Sequence, residues 1–259
     1  MRPLIKWSGG KRTEIEKFRD FYPKDYKRYI EAFVGGGAVF FDLQPKKAVL
    51  SDAHEELTNF YQQMKDGHGP AMHSILVKVN NDEKTYYYMR DEYSPSNQIE
   101  EAARFFYLRK TCFRGMLRYN SKGKFNIPFG RYKTYNIEEL IDPNYCQVFN
   151  GTTIVNWDFK DVFAKYNSPD NFVFLDPPYD STFKNYGRYD FSKQDHQDLA
   201  DIFRSTKNKC LLVISETDFI SGLYKGYVKH KYPKKYAFKI HSNRVGSEID
   251  KNHLVITNY

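Results

Sequence analysis

The sequence predicts an α/β fold built on a mainly parallel sheet. Short apolar runs of strand length alternate with helical patterns along most of the 259 residues. A glycine turn, Gly35-Gly36-Gly37, joins one strand to a helix, and a second strand follows at once. That order implies a parallel pair with a right-handed crossover. A further apolar run, Asn171–Leu175, ends in two prolines that cannot continue a ladder.

The elements follow in order. Ile15, Phe18 and Phe21/Tyr22 lie at near-helical spacing, which predicts a helix over 12–22. Residues 29–33 read as a strand, 39–43 as a helix and 47–51 as the next strand, ending at Asp52. Helical patterns then cover 55–65, 70–79 and 98–111. The segment 113–132 is rich in Gly, Asn, Ser and bases and reads as a loop or hairpin. Strands resume at 153–157, 171–175 and 209–214, with a helix over 193–205 before the last of these. Final strands are expected at 227–232, 236–241 and 253–258. The simplest division is an α/β domain of residues 1–53 and 151–259, interrupted by a basic helical insertion over 54–150.

Charge is distributed unevenly. The chain carries a net charge of +8, yet between Glu101 and Glu138 there is no acid. That stretch holds Arg104, Arg109, Lys110, Arg114, Arg118, Lys122, Lys124, Arg131 and Lys133; without them the chain is near neutral. A second acid-free stretch, from Asp218 to Glu248, holds Lys225, Lys229, Lys231, Lys234, Lys235, Lys239 and Arg244. Cations interleaved with Phe and Tyr suit a polyanion whose bases stack, so both stretches are expected at nucleic acid. No run approaches the length of a membrane span, and the first residues lack the apolar stretch of a signal peptide. Cys112, Cys146 and Cys210 are odd in number and far apart, without metal-ligand spacing. They read as reduced structural thiols in a cytoplasmic protein, and no metal is expected.

Asp176-Pro177-Pro178-Tyr179 carries the most chemistry. In open α/β sheets the carboxyl end of a strand is where ligands bind. There Asp176 and the free Pro177 carbonyl can accept hydrogen bonds from an exocyclic amine, while Tyr179 offers a flat face for its base. Phe33 to Gly37 form a close-approach turn at a helix start, and Asp52 lies 15 residues beyond Gly37, where an acid suits a ribose diol. The full dinucleotide glycine pattern and the phosphate-loop Gly-Lys-Ser/Thr are both missing. A nucleoside without pyrophosphate therefore fits better than NAD or ATP, and S-adenosylmethionine is the expected cofactor. In Lys6-Trp7-Ser8-Gly9-Gly10-Lys11 the glycines allow a tight turn, Trp7 can lie on an adenine or sulfonium, and Lys11 can reach a carboxylate.

Residues 6–11, Glu31-Ala-Phe-Val-Gly-Gly-Gly-Ala38, Asp52, Arg118 to Tyr132 and Asp176 to Tyr179 occur in that order. Together they resemble the Dam-type DNA adenine-N6 methyltransferases of the α class, over nearly the whole chain. The resemblance implies a Rossmann-like sheet of seven strands, one reversed, with a small helical and hairpin target-recognition domain. It implies cofactor contacts from Trp7, Lys11, Phe33, Gly35, Asp52, Phe159 and Asp176, and catalysis by Asp176, Pro177 and Tyr179 on an adenine flipped from double-stranded DNA. It places Lys6, Phe113, Met116, Arg118, Asn120, Pro128, Arg131, Tyr132 and Lys133 at DNA, with Lys122 and Lys124 on its backbone and Arg118 reading a guanine. It implies GATC as the methylated site, and a monomer or weak dimer on DNA, without an obligate protein partner, in a bacterial or phage-infected cell.

Two positions depart from that pattern. Arg114 stands where the family usually has Asn, which alters local DNA contacts, and Glu216 follows Ser215 where Asn is usual, placing an acid near the catalytic face. Other readings keep the chemistry but change the DNA site or move it to cytosine N4 or RNA. Another keeps the fold as a DNA-binding sensor of the cofactor without turnover. Restriction, phage and orphan roles stay open.

Overall fold

The structure is a computed structural model that describes residues 1–180, 191–235 and 250–259. Its strands are β1 (Arg28–Glu31), β2 (Ala48–Ser51), β3 (Thr152–Val155), β4 (Asn171–Leu175), β5 (Lys209–Ser215), β6 (Val228–Lys235) and β7 (Asp250–Thr257). They form one sheet in the order β3-β2-β1-β4-β5-β7-β6. The first five are parallel, whereas β7 runs antiparallel to both β5 and β6. This is a seven-stranded sheet with one reversed strand, as the resemblance implies.

Strand alternation divides the core in two. In β4, Phe172 and Phe174 belong to one layer and Val173 and Leu175 to the other. Helix α1 (Ile15–Phe18) supplies Ile15 and Phe18 to the first layer, and α2 (Ala38–Leu43) supplies Val39, Phe40 and Phe41. Helices α3 (Glu55–Lys65), α4 (Gly69–Leu76), α5 (Glu83–Tyr87), α6 (Gln98–Thr111) and α7 (Pro143–Gln147) bury apolar residues in that same layer. Helices α8 (Phe159–Lys165), α9 (Lys193–Ser205) and α10 (Asp218–Leu223) cover the opposite face.

Local chemistry sets several boundaries. Asn97 caps α6 by accepting from the Glu100 N–H, and Ser192 with Asp195 forms a reciprocal capping box at α9. The continuous helix expected over 12–22 is broken into a 3₁₀ turn, α1 and a second 3₁₀ turn. Lys11 and Glu14 are turned into the interior there, so the segment has no regular solvent face. The last strands also differ from expectation: β6 runs on to Lys235 and β7 starts at Asp250, while the strand expected at 236–241 lies outside the described residues. Helices α5, α7, α8 and α10 are additional to the sequence reading. Between Cys112 and Phe129 the chain forms isolated antiparallel bridges, Cys112 with Phe129 and Tyr119 with Phe125, which is the expected hairpin character. Cys112 and Cys210 are buried and all three cysteines are free thiols. No described helix is long and apolar enough to cross a membrane.

Candidate active site

The carboxyl ends of β1, β2, β3 and β4 open onto a cavity of about 350 Å³. Strand order reverses between β1 and β4, and crevices at such a switch point are where α/β sheets take ligands. β1 leads into Phe33 to Gly37, β2 into Asp52, β3 into Trp157 to Phe159, and β4 into Asp176 to Tyr179; all of these segments line the cavity.

Asp52 organises the glycine turn. Its Oδ2 accepts the Gly35 N–H at 2.9 Å and its Oδ1 the His54 N–H at 3.0 Å. Burial raises its pKa to about 6, against the pull of those two donors. Each oxygen keeps a lone pair for a further donor. Gly35 has φ +46, and a Cβ there would come within 2.7 Å of the Trp7 indole nitrogen. Glycine is therefore required here to seat Trp7 as well as to bring backbone to the cavity. Phe33 and Phe159 lie 5.6 Å apart, and Phe191 sets its edge against Phe33 at the same distance. Three rings thus make an apolar end to the cavity, with Asp52 at its polar side.

At the other end, Lys11 is buried and donates to Asp176 Oδ1 at 2.5 Å, to the Tyr179 hydroxyl at 2.7 Å and to the Gly9 carbonyl at 3.1 Å. The carboxylate that Lys11 reaches is thus Asp176. Burial raises the Asp176 pKa, and the Lys11 charge works against that rise. Tyr179 stands edge-on to His253, with ring centroids 5.5 Å apart. His253 Nδ1 lies 2.7 Å from Glu14, whose other oxygen meets Lys234 at 2.7 Å; the Tyr232 hydroxyl also donates to Glu14 at 2.9 Å. Burial alone would raise the Glu14 pKa, but His253, Lys11 and Lys234 hold it down at about 2. Glu31, on the cavity floor, accepts the Phe40 N–H at 2.8 Å and a bond from Tyr29, and burial pushes its pKa up to about 8.

The sequence reading missed Glu14, Glu31, His253 and Phe191. Only Phe191 carries a local signal, as the apolar residue just before the α9 capping box. Glu14 and His253 depend on contacts between distant segments, whereas Glu31 is held by its near neighbours Tyr29 and Phe40. Glu216 is held by Lys231 at 2.8 Å and Asn252 at 3.0 Å, and the Lys231 bond, against some burial, keeps its carboxyl below the usual range. It is a partner of neighbouring strands.

On the hairpin side, Arg114, Arg118, Lys122, Lys124, Pro128, Arg131 and Lys133 are exposed, whereas Phe113, Met116 and Tyr132 are half-buried. Lys6 Nζ donates to the Lys110 carbonyl at 2.9 Å and lies 3.3 Å from the Tyr132 ring centre; burial lowers its pKa. The Tyr132 hydroxyl accepts the Arg114 N–H at 2.9 Å, and the Arg114 guanidinium lies over Phe113. Arg118 Nε donates to Asn126 Oδ1 at 2.8 Å, and Arg131 pairs with Glu83 at 3.1 Å. Asn120 Oδ1 accepts the N–H groups of Lys122 and Lys124, both at 3.0 Å, and so fixes the hairpin tip.

The expectation that all nine bases of the first stretch form one DNA patch is corrected for three. Arg104 binds Glu56 and the Met89 and Arg90 carbonyls, Lys110 binds Glu139, and Arg109 is buried. All three lie on α6, where packing spends their charge internally. In the second stretch Lys231 and Lys234 are paired with Glu216 and Glu14, while Lys239 and Arg244 lie outside the described residues.

Residues 7–241, spanning both the cavity and the hairpin, match the family model described as D12 class N6 adenine-specific DNA methyltransferase. The chain belongs to that family. This methyltransferase is 51% identical to Type II methyltransferase M.CviBI of Paramecium bursaria Chlorella virus NC1A, over the full length of both chains. It is 33% identical to Type II methyltransferase M1.LlaDCHI of Lactococcus lactis subsp. cremoris, over 100% of this chain and 96% of that one. It is 29% identical to the DNA adenine methylase of Haemophilus influenzae, over 87% and 83%. Membership implies S-adenosylmethionine as methyl donor, and the cavity fits it: three rings for an adenine, a carboxylate with spare lone pairs for a ribose, and room beside Asp176.

Proposed function

We propose that this enzyme methylates N6 of an adenine flipped from double-stranded DNA into the space beside Asp176, Pro177 and Tyr179. The observation that carries the reading is the Lys11 ammonium, which already donates to acceptor oxygens of Asp176 and Tyr179. A nitrogen donor fits where an adenine amine would bind. S-adenosylmethionine, when bound, supplies a sulfonium-activated methyl group. Phe33, Phe159 and Phe191 would hold its adenine, with Trp7 lining the same cavity, Asp52 on the ribose and Gly35 beside it. Asp176 and the Pro177 carbonyl accept hydrogen bonds from the amine and draw its lone pair out of the ring. Tyr179 supports the base by stacking. Orientation of both reactants contributes much of the acceleration. Burial suits Asp176 to accept the proton that N6 must lose after transfer.

The recognition segment is residues 54–150, with Lys6 reaching it from the N-terminal loop. Phe113 would wedge into the duplex, Arg118 read a guanine, Met116 and Pro128 meet a thymine methyl, and Lys122, Lys124, Arg131, Tyr132 and Lys133 follow the backbone or a base edge. GATC is the site we assign. A second reading, an adenine site other than GATC, is favoured by Arg114. It sits at φ +54, a left-handed conformation an Arg adopts only under constraint, with its guanidinium exposed over Phe113. Long-read methylation mapping in a host lacking adenine methylation tests both. Modified adenine in GATC supports the first assignment; modified adenine confined to other motifs overturns it and keeps the chemistry. No modified adenine overturns the reaction itself.

A further inference from the structure

Arg109 is the one base of the 102–137 stretch that is fully buried, at 1% exposure. Its Nε and Nη2 donate to the Lys6 carbonyl at 3.2 and 2.7 Å, its Nη1 to the Met116 carbonyl at 2.7 Å, and its Nη2 also to the Gly115 carbonyl. The guanidinium lies 5.2 Å from the Trp7 ring centre. Among the described residues no carboxylate is paired with it. Burying a cation on carbonyl dipoles alone is unfavourable, and an apolar side chain of similar size would fill the space at less cost. What an apolar side chain could not do is tie two backbones together.

Those backbones belong to different sites. Lys6 opens the loop that places Trp7 in the cofactor cavity and Lys11 on Asp176. Gly115 and Met116 belong to the Phe113–Met116 turn on the hairpin side. The two segments touch again at Gly115, where φ is +63 and a Cβ would come within 2.4 Å of Lys6 Cβ. A second bridge runs parallel to the first. His54, two residues after Asp52 and bonded to it through its N–H, has Nε2 on the hydroxyl of Tyr119 in the hairpin. Its Nδ1 accepts the Leu57 N–H, which leaves the ring proton on Nε2 facing Tyr119.

We propose that Arg109 is a positioning residue that couples the cofactor cavity to the DNA-reading turn, so that each ligand strengthens binding of the other. The proposal rests on the methyltransferase reading above, because it needs both ligands. Coupling of this kind is reciprocal and is read as a ratio of affinities. A merely structural arginine would lower both affinities and leave their ratio alone.

The test measures the affinity of S-adenosylhomocysteine with and without a short duplex carrying the mapped site. Wild-type protein is expected to bind on the order of tenfold more tightly with the duplex. In Arg109→Met the ratio falls toward one while affinity without DNA stays near the wild-type value; Arg109→Lys, which can still reach a carbonyl, restores part of it. Gly115→Ala, which pushes on Lys6 from the other side, and Tyr119→Phe, which removes only a hydroxyl, also lower the ratio and carry the test should Arg109→Met fail to fold. A wild-type ratio of one, or a full ratio in the folded variants, overturns the proposal. Failure of the methyltransferase reading is seen separately, as absence of methyl transfer by the wild-type protein.

Discussion

Removing the Lys11 ammonium should move the pH dependence of catalysis in a stated direction. Lys11 and Asp176 have side chains only 1% and 21% exposed, and their contact of 2.5 Å lies inside the cavity. Burial raises the Asp176 pKa and Lys11 opposes it, so Lys11→Met should let it rise further. A hydrogen bond to a charged group contributes roughly 1.5–3 kcal/mol. At about 1.4 kcal/mol per factor of ten, losing that bond should lower turnover below the acid limb by roughly ten- to a hundredfold. On the proposed mechanism it is the ionised Asp176 that holds the amine, so the acid limb of the rate should move to higher pH. Single-turnover transfer from tritiated cofactor to a duplex, followed across pH, measures it. Above the new limb the variant should regain much of its rate, because Asp176, Pro177 and Tyr179 are intact. A Lys11→Met profile that superimposes on the wild type would show that Lys11 does not tune Asp176.

Cofactor affinity should fall as pH drops below about 6, because the cofactor-free protein then protonates Asp52 and ribose hydroxyls favour its ionised form; calorimetry on Asp52→Asn should give weaker, nearly pH-independent binding, and an unchanged affinity would remove Asp52 from the ribose. Glu14→Gln should destabilise the fold by roughly 3–5 kcal/mol at neutral pH, since it strips the counter-charge from Lys234 and a carboxylate oxygen from His253. With its folded pKa at about 2, Glu14 contributes stability that is present above about 4.5 and lost as pH falls toward 2, so the gap in urea unfolding should narrow at pH 3. Replacing Lys122, Lys124 and Lys133 with Ala should reduce the salt slope of DNA affinity by about one per lost phosphate contact; an unchanged slope would turn these side chains away from DNA.

The legible parts of this chain are those with local causes. The β4 run is bounded by prolines and alternates between two layers, and it lies where its pattern predicts. Helices α3, α6 and α9 match their expected limits because each combines a regular apolar stripe with a side-chain cap. The cavity was legible as three turns that a parallel sheet must bring to one edge. What failed depended on partners far away in sequence. A charge count cannot distinguish Arg109, bonded to Lys6, from Arg118, exposed on the hairpin. The irregular start of the chain follows from Glu14 meeting His253, a residue 239 positions on. Nothing near Glu14 announces that pairing.

The catalytic end of the cavity is closed by contacts between opposite ends of the sequence. Lys11 meets Asp176 across 165 residues, and Tyr232 meets Glu14 across 218. Contacts of such separation tend to form late, after local pieces have settled. A truncated or partly refolded chain can therefore hold its helices and its hairpin while Lys11 and Asp176 remain apart. Methylation is for this reason a stricter gauge of refolding than circular dichroism, since it registers only molecules whose first and last segments have met.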